Sequence, residues 1–389
     1  MNENLLFFGI NVFIFLLCGG IWMLVPRITR VSYLFGVRIP PENAQDPQVV
    51  AIKKSYSWAC AIGTLVLVGV CVVQYVLWPN YSLIAALYLP LLLVPLSLFT
   101  FLPAWKKAVR LKEERGWVFS GVVFADTKGG VSRGSISAIP WLWYVISGAV
   151  TLGMIFLAVY RMPYLPEEIP MRFDAAGEVT RYVPTSWGNV LMIPLIYGAM
   201  VLVMLGVNIL LEISKLQIDP HRPTLSFAQH RVYRRRMGHA LGLMTLLLVF
   251  MLMPVGLATI YSDAAWVAPM MRAYTPIVLI GSFLIAVPLI VVYVRCGQGG
   301  GKLKLNVSEE ESDVSAENLA PGRGDDKNWV LGMFYHNPED PDLLVEDRFG
   351  SNIGLNYARV SAKIIAAVVI VGIVGLYVWA TIMVFGVIT

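Results

Sequence analysis

Eight long stretches of apolar residues recur along the chain, at 4–25, 59–78, 82–104, 141–160, 189–211, 241–261, 275–295 and 364–387. Each has about the 20 residues that a helix needs to cross hydrocarbon. None carries an Asp, Glu, Lys, Arg or His near its middle. A charge at that depth costs roughly 2.5–3.5 kcal/mol on insertion scales, so its absence suits lipid. It also means that the buried charges of an ion-coupled pump are not visible, and function is expected in the loops. Pro90 and Pro95 interrupt the third stretch and Pro254 the sixth, which predicts kinks there.

The connections alternate in charge. Loop 26–58 carries Arg27, Arg30, Arg38, Lys53 and Lys54; loop 105–140 carries Lys106, Lys107, Arg110, Lys112, Arg115, Lys128 and Arg133. Loop 212–240 carries Lys215, Arg222, Arg231 and the run Arg234-Arg235-Arg236. The intervening connections, 79–81, 161–188 and 262–274, are short or balanced. Basic loops stay on the cytoplasmic side, so both termini are expected outside. The formal charge of +5 is then a topological signal and an attraction to anionic lipid heads. Direct nucleic-acid binding is not expected.

Two connections read as folded. Residues 161–188 hold Pro163, Pro166, Pro170, Pro184 and Gly177 among alternating apolar residues, too much turn chemistry for a helix. Residues 325–359 read as three short antiparallel strands, Trp329 to Tyr335, Leu343 to Phe349 and Ile353 to Tyr357. Their turns are Asn337-Pro338-Glu339-Asp340-Pro341-Asp342 and Gly350-Ser351-Asn352. The Gly-, Ser- and Glu-rich stretch 297–324 reads as a flexible linker.

The expected fold is therefore an all-α polytopic membrane protein of about eight transmembrane helices. A small antiparallel β-rich cytoplasmic domain lies between its last two helices, and a folded loop lies outside. In order, the chain has a four-helix region 1–160, the outer loop 161–188, a three-helix region 189–296, the linker 297–324, the β-rich domain 325–359 and a last helix 360–389.

Composition agrees: 57% of the 389 residues are hydrophobic, 14% are charged and the mean hydropathy is +0.67, too little polar surface for a soluble chain. Cys18, Cys60, Cys71 and Cys296 lie in or beside apolar stretches without a CxxC spacing and read as packing residues, not disulfides or metal ligands. The start Met1-Asn2-Glu3-Asn4 is acidic where a secretory signal is basic, so the first stretch reads as a retained span.

Candidate chemistry is sparse. Gly297-Gln298-Gly299-Gly300-Gly301-Lys302 lacks the spacing and the Ser or Thr of a phosphate loop. His221, His230, His239 and His336 lack zinc-site spacing, and His230 reads as a solvated interfacial side chain. No GxSxG or SxxK nominates a nucleophile, and the pairs Glu167-Glu168 and Glu309-Glu310-Glu311 default to solvated charge. No enzyme activity, metal or cofactor is expected. Segment 105–117 reads as a basic amphipathic helix on the inner leaflet. In Phe35-Gly36-Val37-Arg38-Ile39-Pro40-Pro41, the turn formers present Arg38 as either a plain topological arginine or a fork for an anion.

Two stretches resemble a known family. Leu165-Pro166-Glu167-Glu168-Ile169-Pro170-Met171-Arg172-Phe173-Asp174-Ala175-Ala176-Gly177-Glu178-Val179-Thr180-Arg181-Tyr182 resembles the extracytoplasmic motif of bacterial SdpI-type immunity membrane proteins. Arg172 stands where a histidine is usual, so a titrating or metal-binding role does not carry over to it. Residues 328–359, with Trp329, Gly332, Tyr335, Asn337-Pro338, Asp340 and Asn356, resemble an uncharacterised domain fused to such proteins, and Gly36-Val37-Arg38-Ile39-Pro40 resembles their inner-loop signature. The resemblance implies a multi-pass protein of the bacterial plasma membrane that senses a peptide toxin or envelope factor and relays its presence to a cytoplasmic regulatory protein. Glu167, Glu168, Arg172, Asp174, Gly177 and Arg181 would meet the outer ligand. Gly36, Arg38, Pro40, Trp329, Tyr335, Asn337, Asp340 and Asn356 would meet an inner partner or anion. The rival expectation is a small-solute transporter or channel, or a subunit of a transport complex, with Asn208, Gln74 and Thr245 as its intramembrane polar groups. Cysteine labelling tests the layout: residues introduced at Arg234–Arg236 are expected to react only from the cytoplasmic side.

Overall fold

A computed structural model describes residues 3–117, 123–125, 139–174, 177–213, 217–218, 223–305, 319–320, 323–348 and 354–388. Seven helices among them are long and apolar enough to cross a membrane. The chain divides into two compact units, one built mainly from Val131–Ile213 and Val232–Val294, the other from Asn4–Gly130, Ser214–Arg231 and Arg295–Thr389.

In the second unit, α1 (Glu3–Ile28) is followed by a minimal hairpin, β1 (Tyr33–Leu34) with β2 (Val37–Arg38). Phe35 and Gly36 both take positive φ, 49° and 81°, which suits the right-handed twist of a two-residue hairpin loop. Helix α2 (Pro47–Leu77) starts where sequence chemistry asks it to: Asp46 accepts a hydrogen bond from Gln48 N at 2.8 Å and Pro47 occupies the first turn. The expected break in the third apolar stretch is present. Helix α3 (Ser82–Tyr88) gives way to a 3-10 turn at Leu89–Leu92, which holds Pro90, before α4 (Leu93–Arg115).

Helix α4 corrects one expectation. Residues 105–115 form no separate surface helix; they continue α4 until Gly116, at φ 62°, ends it. No helix breaker lies between Pro103 and that glycine. Helices α2 and α4 pack through Val49, Ile52, Tyr56 and Cys60 against Phe101, Ala104, Ala108 and Leu111, with Phe35 of the hairpin wedged among them.

In the first unit, α5 (Trp141–Arg161) leads through a turn into the outer hairpin, β4 (Glu168–Phe173) with β5 (Val179–Pro184). The expected folded loop is thus a twisted antiparallel ribbon, with register shifts on either side of Arg172. Next come α6 (Trp187–Ile213), α7 (Pro223–Ile260), whose residues up to Arg231 belong to the second unit, and α8 (Val267–Cys296), whose last two residues do as well. Much of the expected loop 212–240 is helix, because α7 begins at Pro223 and runs without interruption through the arginine run. Pro254 leaves that helix unbroken as well. The eighth expected crossing, 275–295, falls inside α8, which is not among the seven helices both long and apolar enough to cross a membrane.

Short strands complete the second unit: β3 (Val123–Ala125) pairs with β6 (Gln217–Ile218) and β7 (Leu319–Ala320). The C-terminal module has two separate pairs, β8 (Trp329–Val330) with β9 (Phe334–Tyr335) and β10 (Leu344–Val345) with β11 (Gly354–Leu355), before α9 (Val360–Ile388). The expected strand from Trp329 to Tyr335 folds back on itself because Leu331 and Gly332 have φ of 55° and 72°, which no strand tolerates. The Gly350-Ser351-Asn352 turn and Glu309-Glu310-Glu311 lie outside the described residues. The linker is not uniformly open: Gln298, Gly299 and Gly300 form a buried 3-10 turn, and Lys302 N bonds Cys296 O at 2.9 Å.

Of the three nominated intramembrane polar groups, Asn208 makes the most extensive link between different helices. Its amide donates to Tyr144 Oη at 2.9 Å and to Gly238 O at 3.2 Å. Gln74 and Thr245 bond carbonyls of their own helix ends or turns. Replacing Asn208 by Ala is expected to cost about 0.6–1.7 kcal/mol in a denaturant titration of the detergent-solubilised protein, and Gln74→Ala less than half as much.

Candidate functional site

The residues singled out at the inner hairpin and in the C-terminal module meet in one place. The two glycine turns lie back to back: a Cβ on Gly36 would fall 2.0 Å from Gly332 O, and one on Gly332 would fall 2.8 Å from Phe35 O. Only hydrogen fits there. The hairpin expected to face a partner thus meets the module of its own chain.

Arg348 pins this contact. Its side chain is fully buried, donating through Nη1 to Gly36 O at 3.1 Å and to Asp326, and through Nη2 to Arg323 O at 2.8 Å. Its guanidinium lies 4.7 Å from the ring centre of Trp329 and 5.3 Å from that of Tyr33. The other Asp326 oxygen takes Lys112 Nζ from α4 at 2.6 Å. A recess of about 400 Å³ opens along this seam, walled by Trp105, Trp117 and Trp329, with Lys112, Asp326 and Arg348 at its polar side.

Behind it lies a second buried cation. Arg323 grips Asp340 in a fork, Nε to Oδ2 at 2.6 Å and Nη2 to Oδ1 at 3.1 Å, and also bonds Asp342. Tyr335 Oη donates to Asp340 Oδ2 at 3.0 Å, and Asn337 donates to Tyr335 Oη at 3.1 Å. Asn356 accepts from Asn337 N at 3.1 Å and donates to Asp340 O at 3.0 Å. Burial pushes the Asp340 carboxyl up, but the Arg323 hydrogen bonds and charge outweigh it and hold the carboxyl below its ordinary range. Burial, reinforced by the Asp340 charge, raises Tyr335 instead. Trp329, Tyr335, Asn337, Asp340 and Asn356 are therefore one satisfied network. Arg38 is half-buried on β2, and Pro40 leads into the turn before α2.

A third cluster was not foreseen. Glu346, 4% exposed, receives Arg30, and His230 Nε2 lies 3.2 Å from the same carboxylate oxygen. His230 Nδ1 is 2.8 Å from Ser226 O, and its Nε2 is 2.7 Å from Arg30 Nη2. His230 is thus buried and bonded, not solvated; its position on α7 turns it inward beside Gly299, whose missing Cβ leaves room for the Arg30 guanidinium and the His230 imidazole. Neither Arg323, Arg348 nor Glu346 carried a motif. Each is separated from its partners by loops whose path only the fold defines.

The outer hairpin behaves differently. Ile169 is fully buried against Met154, Ala158, Val190, Tyr197 and Ile260, and Thr259 Oγ1 reaches Pro170 O at 3.5 Å. Asp174 closes the turn, accepting from Glu178 N at 2.8 Å, and Gly177, at φ 79°, lets the chain approach within 2.5 Å of Arg272 N where a Cβ would sit. Glu178 pairs with Arg272 at 3.3 Å. Glu168, Arg172 and Arg181 are exposed, and Arg172 faces Arg181 directly across the ladder. Like charges in that position repel. Glu167 also stays at the surface, its carbonyl taking Thr185 N at 2.8 Å. The two groups of candidates thus lie in different units. Among the described residues, no three His, Cys, Asp or Glu side chains are arranged to hold a metal ion.

Residues 149–197, from within α5 through the hairpin into α6, match the family described as domain of unknown function (DUF1648). No curated protein and no solved structure matches the chain. The match and the seven apolar helices define a multi-pass membrane protein with a DUF1648 segment.

Asp340→Asn would leave Arg323 enclosed without its fork, and removing one member of a buried pair costs roughly 3–5 kcal/mol. Hydrogen–deuterium exchange at residues 329–345 is expected to rise accordingly. Because the folded Asp340 value is depressed, its contribution is complete above the ordinary carboxylate range and fades as pH falls, so exchange in the native protein should rise below about pH 4.

Proposed function

We propose that the chain is a non-enzymatic sensor of the bacterial plasma membrane, of immunity type, that couples an extracytoplasmic ligand to a cytoplasmic regulatory partner. With the basic connections inside, eight crossings put both termini outside, the DUF1648 hairpin in the extracytoplasmic space and the C-terminal module in the cytoplasm. The observation that carries this reading is the double engagement of α7. Near one end, within the first unit, its Thr259 and Ile260 support the hairpin; near the other, within the second unit, its His230 meets Arg30 and Glu346. Ligand contact is read at Arg172 and Arg181, an exposed like-charge pair that an anionic group on a peptide or envelope polymer would relieve. A relay of this kind needs the ligand to favour one of two states by about 1–3 kcal/mol. The output is the accessibility of the module, held by ion pairs that one shift of α7 would weaken.

A transport reading draws on the 3-10 break at Leu89–Leu92 and on Asn11 of α1, whose buried amide has no hydrogen-bond partner among the described residues. Solute flux in proteoliposomes would favour it. For the sensor, Glu168→Ala and Arg181→Ala are expected to abolish toxin tolerance or reporter output by tenfold or more while expression stays constant; unchanged responses would refute it.

A further inference from the structure

Where α2 begins and α4 ends, the two helices leave an open groove of about 370 Å³ between them. Gln48, Ile52 and Ser55 line one side, and Lys107, Arg110 and Glu114 line the other. The charge is unbalanced toward positive, two cations against one carboxylate. Nearby Lys112 and Arg115 are neutralised by Asp326 and Asp46. Lys107 and Arg110 make no ion pair among the described residues.

Depth identifies what this groove faces. The hydrocarbon-length stretches end at 104 and begin at 59. At a helical rise of 1.5 Å, Lys107 and Ser55 lie about 5–6 Å beyond those limits and Arg110 about 9 Å. The headgroup layer on each side of the hydrocarbon is about 5–8 Å deep. Lys107 and Ser55 therefore sit at the level of lipid phosphates, and the long Arg110 side chain reaches back to that level from about 1 Å beyond it.

The same helix faces continue into the hydrocarbon. One turn at a time from Ser55 come Trp58, Ile62 and Leu65, exposed by 66%, 58% and 67%. From Lys107 they run back through Pro103 to Phe99, exposed by 79%. A cationic head end thus leads into two apolar stripes, the shape of a phospholipid rather than of a soluble anion.

We propose that this groove is a specific site for an anionic phospholipid. Lys107 and Arg110 hold its phosphate, Ser55 and Gln48 flank the headgroup, and the acyl chains lie along the exposed faces of α2 and α4. The site is independent of any ligand at the outer hairpin. Because α4 also carries Lys112 to Asp326, lipid occupancy steadies the helix on which the C-terminal module rests.

Native mass spectrometry of the full-length protein in a neutral detergent tests this, with phosphatidylglycerol and phosphatidylcholine as probes. The wild-type protein is expected to retain phosphatidylglycerol preferentially, and Lys107→Gln/Arg110→Gln to lose it by about tenfold. Lys107→Arg/Arg110→Lys should keep the preference, as should Lys363→Gln, which removes an exposed charge elsewhere at a helix start. Millimolar inorganic phosphate should not displace the lipid. Equal retention by the Gln variant at an unchanged melting temperature, no preference in the wild type, or displacement by inorganic phosphate would each overturn the proposal.

Discussion

A guanidinium enclosed on all sides governs the architecture of the second unit. Arg348 cannot be solvated where it lies, so its stability depends on every neighbour that answers it: the Gly36 and Arg323 carbonyls, the Asp326 carboxylate and two aromatic faces. These partners come from two regions distant in sequence, Tyr33–Gly36 and Arg323–Trp329, and Asp326 also takes Lys112 of α4. Once the cation is fixed, the inner hairpin, the end of α4 and the C-terminal module have one mutual arrangement. Arg323 repeats the device one layer deeper with Asp340, so the module is specified by charge as much as by its small apolar cluster of Trp329, Tyr335 and Val345.

The outer hairpin is built on the opposite principle. One buried apolar anchor, Ile169, seats it on α5, α6 and α7, while its charged side chains stay in solvent. Facing arginines with no ion pair among the described residues gain nothing for the fold. Residues with satisfied buried bonds explain structure, and exposed residues in an unfavourable pairing suggest a ligand. On that division, the inner candidates Trp329, Tyr335, Asn337, Asp340 and Asn356 hold the module together, and the proposed ligand contact rests on Arg172 and Arg181.

What the sequence disclosed follows the strength of the physical constraint. Lipid tolerates so little polar surface that the apolar stretches and the proline break at Pro90 were plain to read. The turn at Gly36 was legible because glycine before Arg38 and two prolines leaves the backbone few options. By contrast, Leu331 gives no warning that it will take a positive φ, so the run from Trp329 to Tyr335 looked like one strand. His230 resembled a solvated residue because its neighbours in sequence are basic, while its partners Arg30 and Glu346 lie 200 and 116 positions away. Short-range pattern reports local geometry; it says little about which charge will be enclosed by which.

The two abutting glycine turns carry an evolutionary corollary. Position 332 leaves no volume for a side chain at 36, so the residue identities at these sites are bound together across nearly 300 positions of chain. A homologue without the C-terminal module would keep the positive φ at 36 but lose the crowding, and asparagine would then serve as well as glycine. Covariation between these two columns would thus record whether the module is present and seated.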